Sequence, residues 1–205
     1  MSRCVIVGAG EILDYAYIRS FLLPDDYFVL CDGGINHVDS LGITVDEYIG
    51  DFDSADKPVT DKPVTVLPRE KDDTDTLAAA KRMLKQGFTD FAFIGVLGKR
   101  IDHAVCNLSI LLYLNKMNAK GIIISDFEIV SLVTSCARVY REECTYFSVI
   151  CADGMINDIS ISSAKFPLNG AVIEPYYQYA VSNEVAGEYS EISVKNSIAY
   201  LIKSR

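Results

Sequence analysis

Long apolar runs are missing from this sequence. No stretch approaches the roughly 20 apolar residues that a membrane-spanning helix requires, so no membrane association is expected. Near the N-terminus, Ser2-Arg3-Cys4-Val5-Ile6-Val7-Gly8 couples one basic residue to a short apolar run. The longer apolar region and small-residue cleavage site of a signal peptide are absent, and the segment reads as a first β-strand. Positive charge is also scarce: 19 Lys and Arg face 28 Asp and Glu, for a net charge of −9. A nucleic-acid binder needs a basic surface to displace counterions, so nucleic acid is not the expected partner. Cysteines at metal-ligand spacing are lacking, because Cys4, Cys31, Cys106, Cys136, Cys144 and Cys151 are scattered. Several sit in apolar runs, where a free thiol behaves as a small hydrophobe, and a reducing cytoplasmic setting is expected. There is no Walker A loop, which disfavours a P-loop kinase. Gly8-Ala9-Gly10 is only a fragment of a dinucleotide fingerprint, since Leu13 stands where a third glycine is needed, and it reads as a strand-end turn.

What is present is an ordinary globular balance, half apolar and 23% charged, in 205 residues that suffice for one large or two small domains. Up to residue 124, short apolar runs at 4–7, 28–31, 65–67, 91–96 and 121–125 alternate with helical patterns at 16–23, 36–41, 75–86 and 102–117. Pro24 is expected to stop the first helix and Gly42 to close the second. In the third, Leu77, Ala80 and Leu84 recur at helical spacing, with Asp73 or Thr74 as cap and Gly87 as terminator. This alternation predicts an α/β domain with a mainly parallel sheet over 1–124. Over 125–205 the helical pattern gives way to short β-runs at 128–134, 145–151, 158–162, 177–182, 191–194 and 198–202. Lys195-Asn196-Ser197 between the last two predicts a hairpin. The second half reads as an all-β sandwich or barrel, marginal alone at about 80 residues and expected to pack on the first domain or a second subunit.

The residues with chemistry gather at the strand ends. Gly50-Asp51-Phe52-Asp53-Ser54 follows an apolar segment, where α/β proteins place ligands. Carboxylates two apart in an extended segment point to one side, and two like charges held together call for a cation. A solvated acidic turn accounts for that pair taken alone. Recurrence argues for more. Asp32-Gly33-Gly34 ends another strand, with glycines that admit close approach of a ligand. Glu70-Lys71-Asp72-Asp73-Thr74-Asp75 opens a helix with more acid than capping needs, and Asp75 would be held rigidly there. Gly95-Val96-Leu97-Gly98-Lys99-Arg100-Ile101-Asp102-His103 joins a strand to a helix with the glycines, cations and helix N-terminus that phosphate binding uses. His103 also fits a capping or packing role, and Arg100 an ordinary surface one. An acidic protein that handles an anionic nucleotide needs a mediating cation, and Mg2+ prefers carboxylate and phosphate oxygens.

Taken in order and spacing, these four motifs resemble the thiamine pyrophosphokinase family. Phe166-Pro167-Leu168 and Val181-Ser182-Asn183-Glu184 are similar to its C-terminal thiamine-binding region. The resemblance implies transfer of a pyrophosphoryl group from ATP to thiamine, giving thiamine diphosphate and AMP. It implies a catalytic ATP- and Mg2+-binding α/β domain, a thiamine-binding β-sandwich and a homodimer with active sites between subunits. Asp51, Asp53 and Asp75 would hold Mg2+, with Asp75 and Asp53 catalytic. Asp32, Gly33, Gly34, Lys71, Arg100, Asp102 and His103 would contact ATP. Ser182 and Asn183, with Asp75, would bind thiamine. The chain departs from the pattern at Lys99, where glycine is common, at Leu77, where an acid is frequent, and at His37, where arginine is frequent. Two alternatives stay open on the residues alone: another Mg2+-dependent pyrophosphokinase or nucleotide hydrolase, and a non-catalytic thiamine- or nucleotide-binding regulator.

Overall fold

A computed structural model describes residues 2–52, 57–70, 72–98 and 100–205. The chain divides into two compact units, Met1–Asp126 and Phe127–Arg205. The architecture is an α/β unit with a parallel sheet, followed by an all-β sandwich.

The first unit runs β1 (Cys4–Val7), α1 (Tyr15–Arg19), β2 (Tyr27–Cys31), a 3-10 turn (Asp32–His37), α2 (Val38–Leu41), β3 (Glu47–Gly50), β4 (Val64–Val66), α3 (Asp75–Lys85), β5 (Asp90–Ile94), α4 (Ile101–Lys116) and β6 (Lys120–Ile124). Its strands lie in the order β4-β3-β2-β1-β5-β6, and every pairing among them is parallel. Cys4, Val5, Ile6 and Val7 are all fully buried, as expected of a central parallel strand covered on both faces. After β1 the chain lays strands to one side, then returns to place β5 on the other. The β1–β5 boundary is therefore the point where the strand order reverses, the place where open α/β sheets form a crevice.

Two helices differ from expectation. The first ends at Arg19 rather than near Leu23. Arg3 donates to the Phe21 carbonyl at 2.7 Å, and the Leu23 amide donates to Asp26 at 2.8 Å, so the backbone groups that would extend the helix are engaged elsewhere. The third helix is capped by Thr74, which accepts from the Leu77 amide at 3.3 Å, as its sequence predicts. Its buried face is Ala79, Ala80 and Met83, a stripe rotated from the expected Leu77, Ala80 and Leu84. Small alanines let the helix lie close to the strands, and the two leucines stay half-buried at the margin.

The second unit comprises β7 (Glu128–Val133), β8 (Cys136–Tyr140), β9 (Tyr146–Cys151), β10 (Ile156–Ser162), β11 (Leu168–Ile173), β12 (Tyr189–Val194) and β13 (Ala199–Ser204). Antiparallel β13 lies between β7 and β9, and a second sheet has the order β11-β10-β12-β8. Both sheets feed one core, in which Phe147, Val149 and Leu201 meet Ile159, Ile161 and Ile192. The expected hairpin at 195–197 is absent: β12 pairs with β10 and β8, whereas β13 pairs with β7 and β9. Crossing between sheets lets Ile192 and Val194 enter the core from one side and Ala199 and Leu201 from the other. Residues 177–182 form no strand. The segment makes isolated pairings, including the Val149 amide with the Ala180 carbonyl at 2.8 Å, and leaves Tyr177 and Tyr179 exposed.

Candidate active site

Three carboxylates converge where β2 and β3 end and α3 begins. Asp32 opens the 3-10 turn after β2 with φ 42, a left-handed conformation that swings its side chain over the end of β3. Its Oδ1 accepts from the Phe52 amide at 3.2 Å, and a Cβ placed on Gly50 would stand only 1.9 Å from that oxygen. Glycine at 50 is thus required by space, not by dihedral angle. Asp32 and Asp75 are hydrogen-bonded through their side chains. Burial first, and then this bond, pushes the Asp32 carboxyl up to about 6; the Phe52 amide opposes the rise, and the charges of Asp75 and Asp51 add to it. Asp51 and Asp75 therefore both act on the Asp32 carboxyl.

Phe52 has φ 53, so the backbone at that residue is not the extended one that the expected alternation requires. Asp53, together with Lys71 and Lys99, lies outside the described residues. Among the described residues, no three carboxylate, imidazole or thiol groups stand ready as a metal cluster. The donors that do converge are oxygens alone, and when all are ionised they repel one another, a set that suits a hard divalent cation.

Beside the acids, a cleft of about 640 Å3 opens at the ends of β1 and β5, where the strand order reverses. Gly8, Ala9, Gly10 and Glu11 form one wall, Gly95 to Gly98 another, and Thr76, Arg100, His103 and Asn107 complete it. Thr76 follows Asp75 on α3, so cleft and carboxylates share that helix. The walls interlock through backbone: the Gly8 amide donates to the Ile94 carbonyl at 2.9 Å and the Gly10 amide to Gly95 at 2.7 Å. Buried Asn107 on α4 donates to the Val96 carbonyl at 2.7 Å and ties the second wall to the helix. Arg100 pairs with Asp102 at 2.5 Å, and that bond, with the His103 amide, draws the Asp102 carboxyl down to about 2. Arg100 and His103 line the cleft; Asp102 faces Arg100.

Gly33 and Gly34 do not meet the cleft. A Cβ on Gly34 would lie 2.3 Å from the Val7 carbonyl, and one on Gly33 2.9 Å from the Ala9 Cβ, so what approaches them is the end of β1. In the second unit, exposed Ser182 sits at φ 51, and buried Asn183 spends its amide within the chain. It donates to the Phe166 carbonyl at 2.8 Å and accepts from the amides of Phe166 and Glu184, both at 3.0 Å. The residues that sequence reasoning missed are Gly8, Gly10, Thr76 and Asn107. Gly-Ala-Gly closing an all-apolar strand was the available signal for the first wall; nothing local marks Asn107.

The model of the thiamin pyrophosphokinase catalytic domain matches residues 18–123. The chain belongs to the thiamin pyrophosphokinase family. As a member it is an enzyme of that kind, a transferase. Its structure is similar to thiamine pyrophosphokinase from Bacillus subtilis, with a TM-score of 0.87 at 23% identity over 99% of both chains. The Geobacillus thermodenitrificans enzyme gives a TM-score of 0.84 at 23% identity, covering 98% of this chain and 97% of that one. Thiamin pyrophosphokinase from Candida albicans keeps the fold at 13% identity, with a TM-score of 0.75 over 100% of this chain and 89% of that one. No curated protein matches the sequence. Among the described residues, no helix is long and apolar enough to cross a membrane.

Proposed function

We propose that this thiamin pyrophosphokinase family member transfers a pyrophosphoryl group from ATP to the hydroxyethyl oxygen of thiamine, releasing AMP. The observation that carries the reading is the convergence of Asp32, Asp51 and Asp75 beside a glycine-walled cleft at the reversal of strand order. Converging carboxylates without a cation are costly, and a phosphate substrate brings one. Asp51 and Asp75, with Asp53 as the resemblance implies, would hold Mg2+, which when bound would offset charge on the phosphates. Arg100 supplies positive charge, and Arg100 and His103 supply hydrogen-bond donors, to the phosphate end of the cleft. Gly8, Gly10 and Gly95 let the two walls pack backbone against backbone, since a Cβ on Gly8 or Gly10 would stand 2.6 Å from the Gly95 carbonyl oxygen.

In this reading the thiamine hydroxyl attacks the β-phosphorus in line and AMP leaves. Asp75, held at the start of α3, orients the hydroxyl and accepts its proton. Most of the acceleration comes from positioning and from charge stabilisation, as in other phosphoryl transfers. Ser182 contacts thiamine, and Asn183 acts by fixing the Phe166 turn beside it. The first domain is catalytic, the second binds thiamine, and the enzyme works in the cytoplasm as a homodimer with sites at the subunit interface. Incubation with thiamine, ATP and Mg2+ should yield thiamine diphosphate and AMP in equal amounts. Production of ADP with thiamine monophosphate would refute pyrophosphoryl transfer, and a monomer by light scattering would refute the dimer.

A further inference from the structure

His37 is buried, polar and absent from the chemistry above. It closes the 3-10 turn after β2, with Nε2 at 2.9 Å from the Gly10 carbonyl oxygen and Nδ1 at 2.7 Å from the Tyr15 hydroxyl. Burial outweighs the Gly10 bond and holds the ring's pKa below its ordinary value, so near neutral pH it carries one N–H. A carbonyl oxygen only accepts, which assigns that hydrogen to Nε2. Nδ1 is then the acceptor, and the Tyr15 hydroxyl donates to it. The series continues from the Gly10 amide to the Gly95 carbonyl at 2.7 Å. The Gly8-Ala9-Gly10 turn has no side chain beyond one methyl with which to anchor itself. A Cβ on Gly10 would stand 2.6 Å from the Gly95 oxygen and 2.7 Å from that of Leu97, so the turn cannot acquire one without shifting. Beyond its backbone bonds to Ile94 and Gly95, the turn is held by the side chain of His37 on its Gly10 carbonyl.

We propose that Tyr15 and His37 form a positioning pair that clamps the Gly8-Ala9-Gly10 turn as a wall of the cleft, and so sets affinity for the nucleotide rather than the rate of the chemical step. The affinity half rests on the ATP reading above; the clamp itself does not. His37→Leu removes the donor at similar volume, His37→Gln offers an amide N–H toward Gly10, and Tyr15→Phe removes only the hydroxyl. In ligand-free protein, amide hydrogen exchange across residues 8–10 should quicken roughly ten-fold in His37→Leu, less in Tyr15→Phe, and little in His37→Gln. In turnover, His37→Leu should raise the KM for ATP about ten-fold with kcat within about two-fold, and His37→Gln should restore most of the loss.

Unchanged exchange in His37→Leu overturns the clamp. Faster exchange with an unchanged KM overturns the link to affinity, as does a fall in kcat at constant KM, the mark of lost active protein alone. Should His37→Leu fail to fold, Tyr15→Phe gives the same comparison with a milder change. A wild-type protein that consumes no ATP with thiamine sinks the functional reading alone, and the exchange comparison still decides the clamp.

Discussion

Gly50→Ala is the sharpest probe of the acidic cluster, because it adds one methyl and changes no charge. The methyl would lie 1.9 Å from Asp32 Oδ1 and 2.8 Å from its Cγ. To regain an ordinary contact of 3.4 Å the carboxylate must retreat by about 1.5 Å. That retreat disrupts the bond from the Phe52 amide and the bond with Asp75, the contacts that hold the three acids together. Backbone strain does not enter, since Gly50 is not among the positive-φ positions and its carbonyl still accepts from Leu67 at 2.8 Å within the sheet edge. Overpacking of this kind costs about 1–3 kcal/mol of stability, too little to unfold a typical domain. Misplacement of a catalytic group by about 1 Å costs on the order of 100-fold in rate. The expected result is therefore a folded protein, judged by circular dichroism and urea titration, whose kcat/KM for thiamine diphosphate formation falls about 100-fold. Near-wild-type turnover at limiting Mg2+ would refute the placement of Asp32 over Gly50 as a functional feature.

Asp75→Asn should lower kcat by about 100-fold or more while keeping α3 capped by Thr74, measured as AMP release together with far-ultraviolet circular dichroism. Chelation with EDTA should abolish turnover without loss of helical signal, and added Mg2+ should restore it; activity that persists in excess chelator would remove the metal from the reading. Arg3→Ala leaves Asp26, whose side chain is fully buried, without its charged partner at 2.6 Å and with only the Leu23 amide, among the described residues, bonded to it, and should cost about 3–5 kcal/mol by urea denaturation. Asn183→Ala deletes the three hydrogen bonds that tie it to Phe166 and Glu184, and should destabilise by about 2 kcal/mol while raising the KM for thiamine more than that for ATP.

Parts of this design are legible from local rules. The apolar run Cys4–Val7, the Thr74 cap with Asp75 behind it, and acids at successive strand ends all follow from periodicity and composition, which act over a few residues. Other parts are not. The exit of the first helix at Arg19 depends on Arg3 and Asp26, remote in sequence from each other. Phe52 at φ 53 lacks the extended backbone that alternation requires, and a left-handed residue leaves no mark that a local pattern detects. Lys195-Asn196-Ser197 has the composition of a hairpin turn, yet the partners of β12 and β13 are chosen by which sheet leaves each apolar face a place in the core.

The sequence by itself determined which residue types lie at the strand ends: carboxylates after β2 and β3 and at the start of α3, cations before α4, and glycines after β1. Each is dictated by local propensity and by chemistry written into a short motif. Only the tertiary structure decided which of them meet. Asp32 reaches Asp75 because the parallel order β3-β2-β1 brings separate loops to one edge, and Gly33 and Gly34 admit the close approach of the end of β1. The Gly8-Ala9-Gly10 fragment became a cleft wall because β5 returns beside β1, and His37 found Tyr15 and Gly10 because three elements distant in sequence close over it. Such encounters follow from the packing of the whole sheet, and no window of adjacent residues contains them.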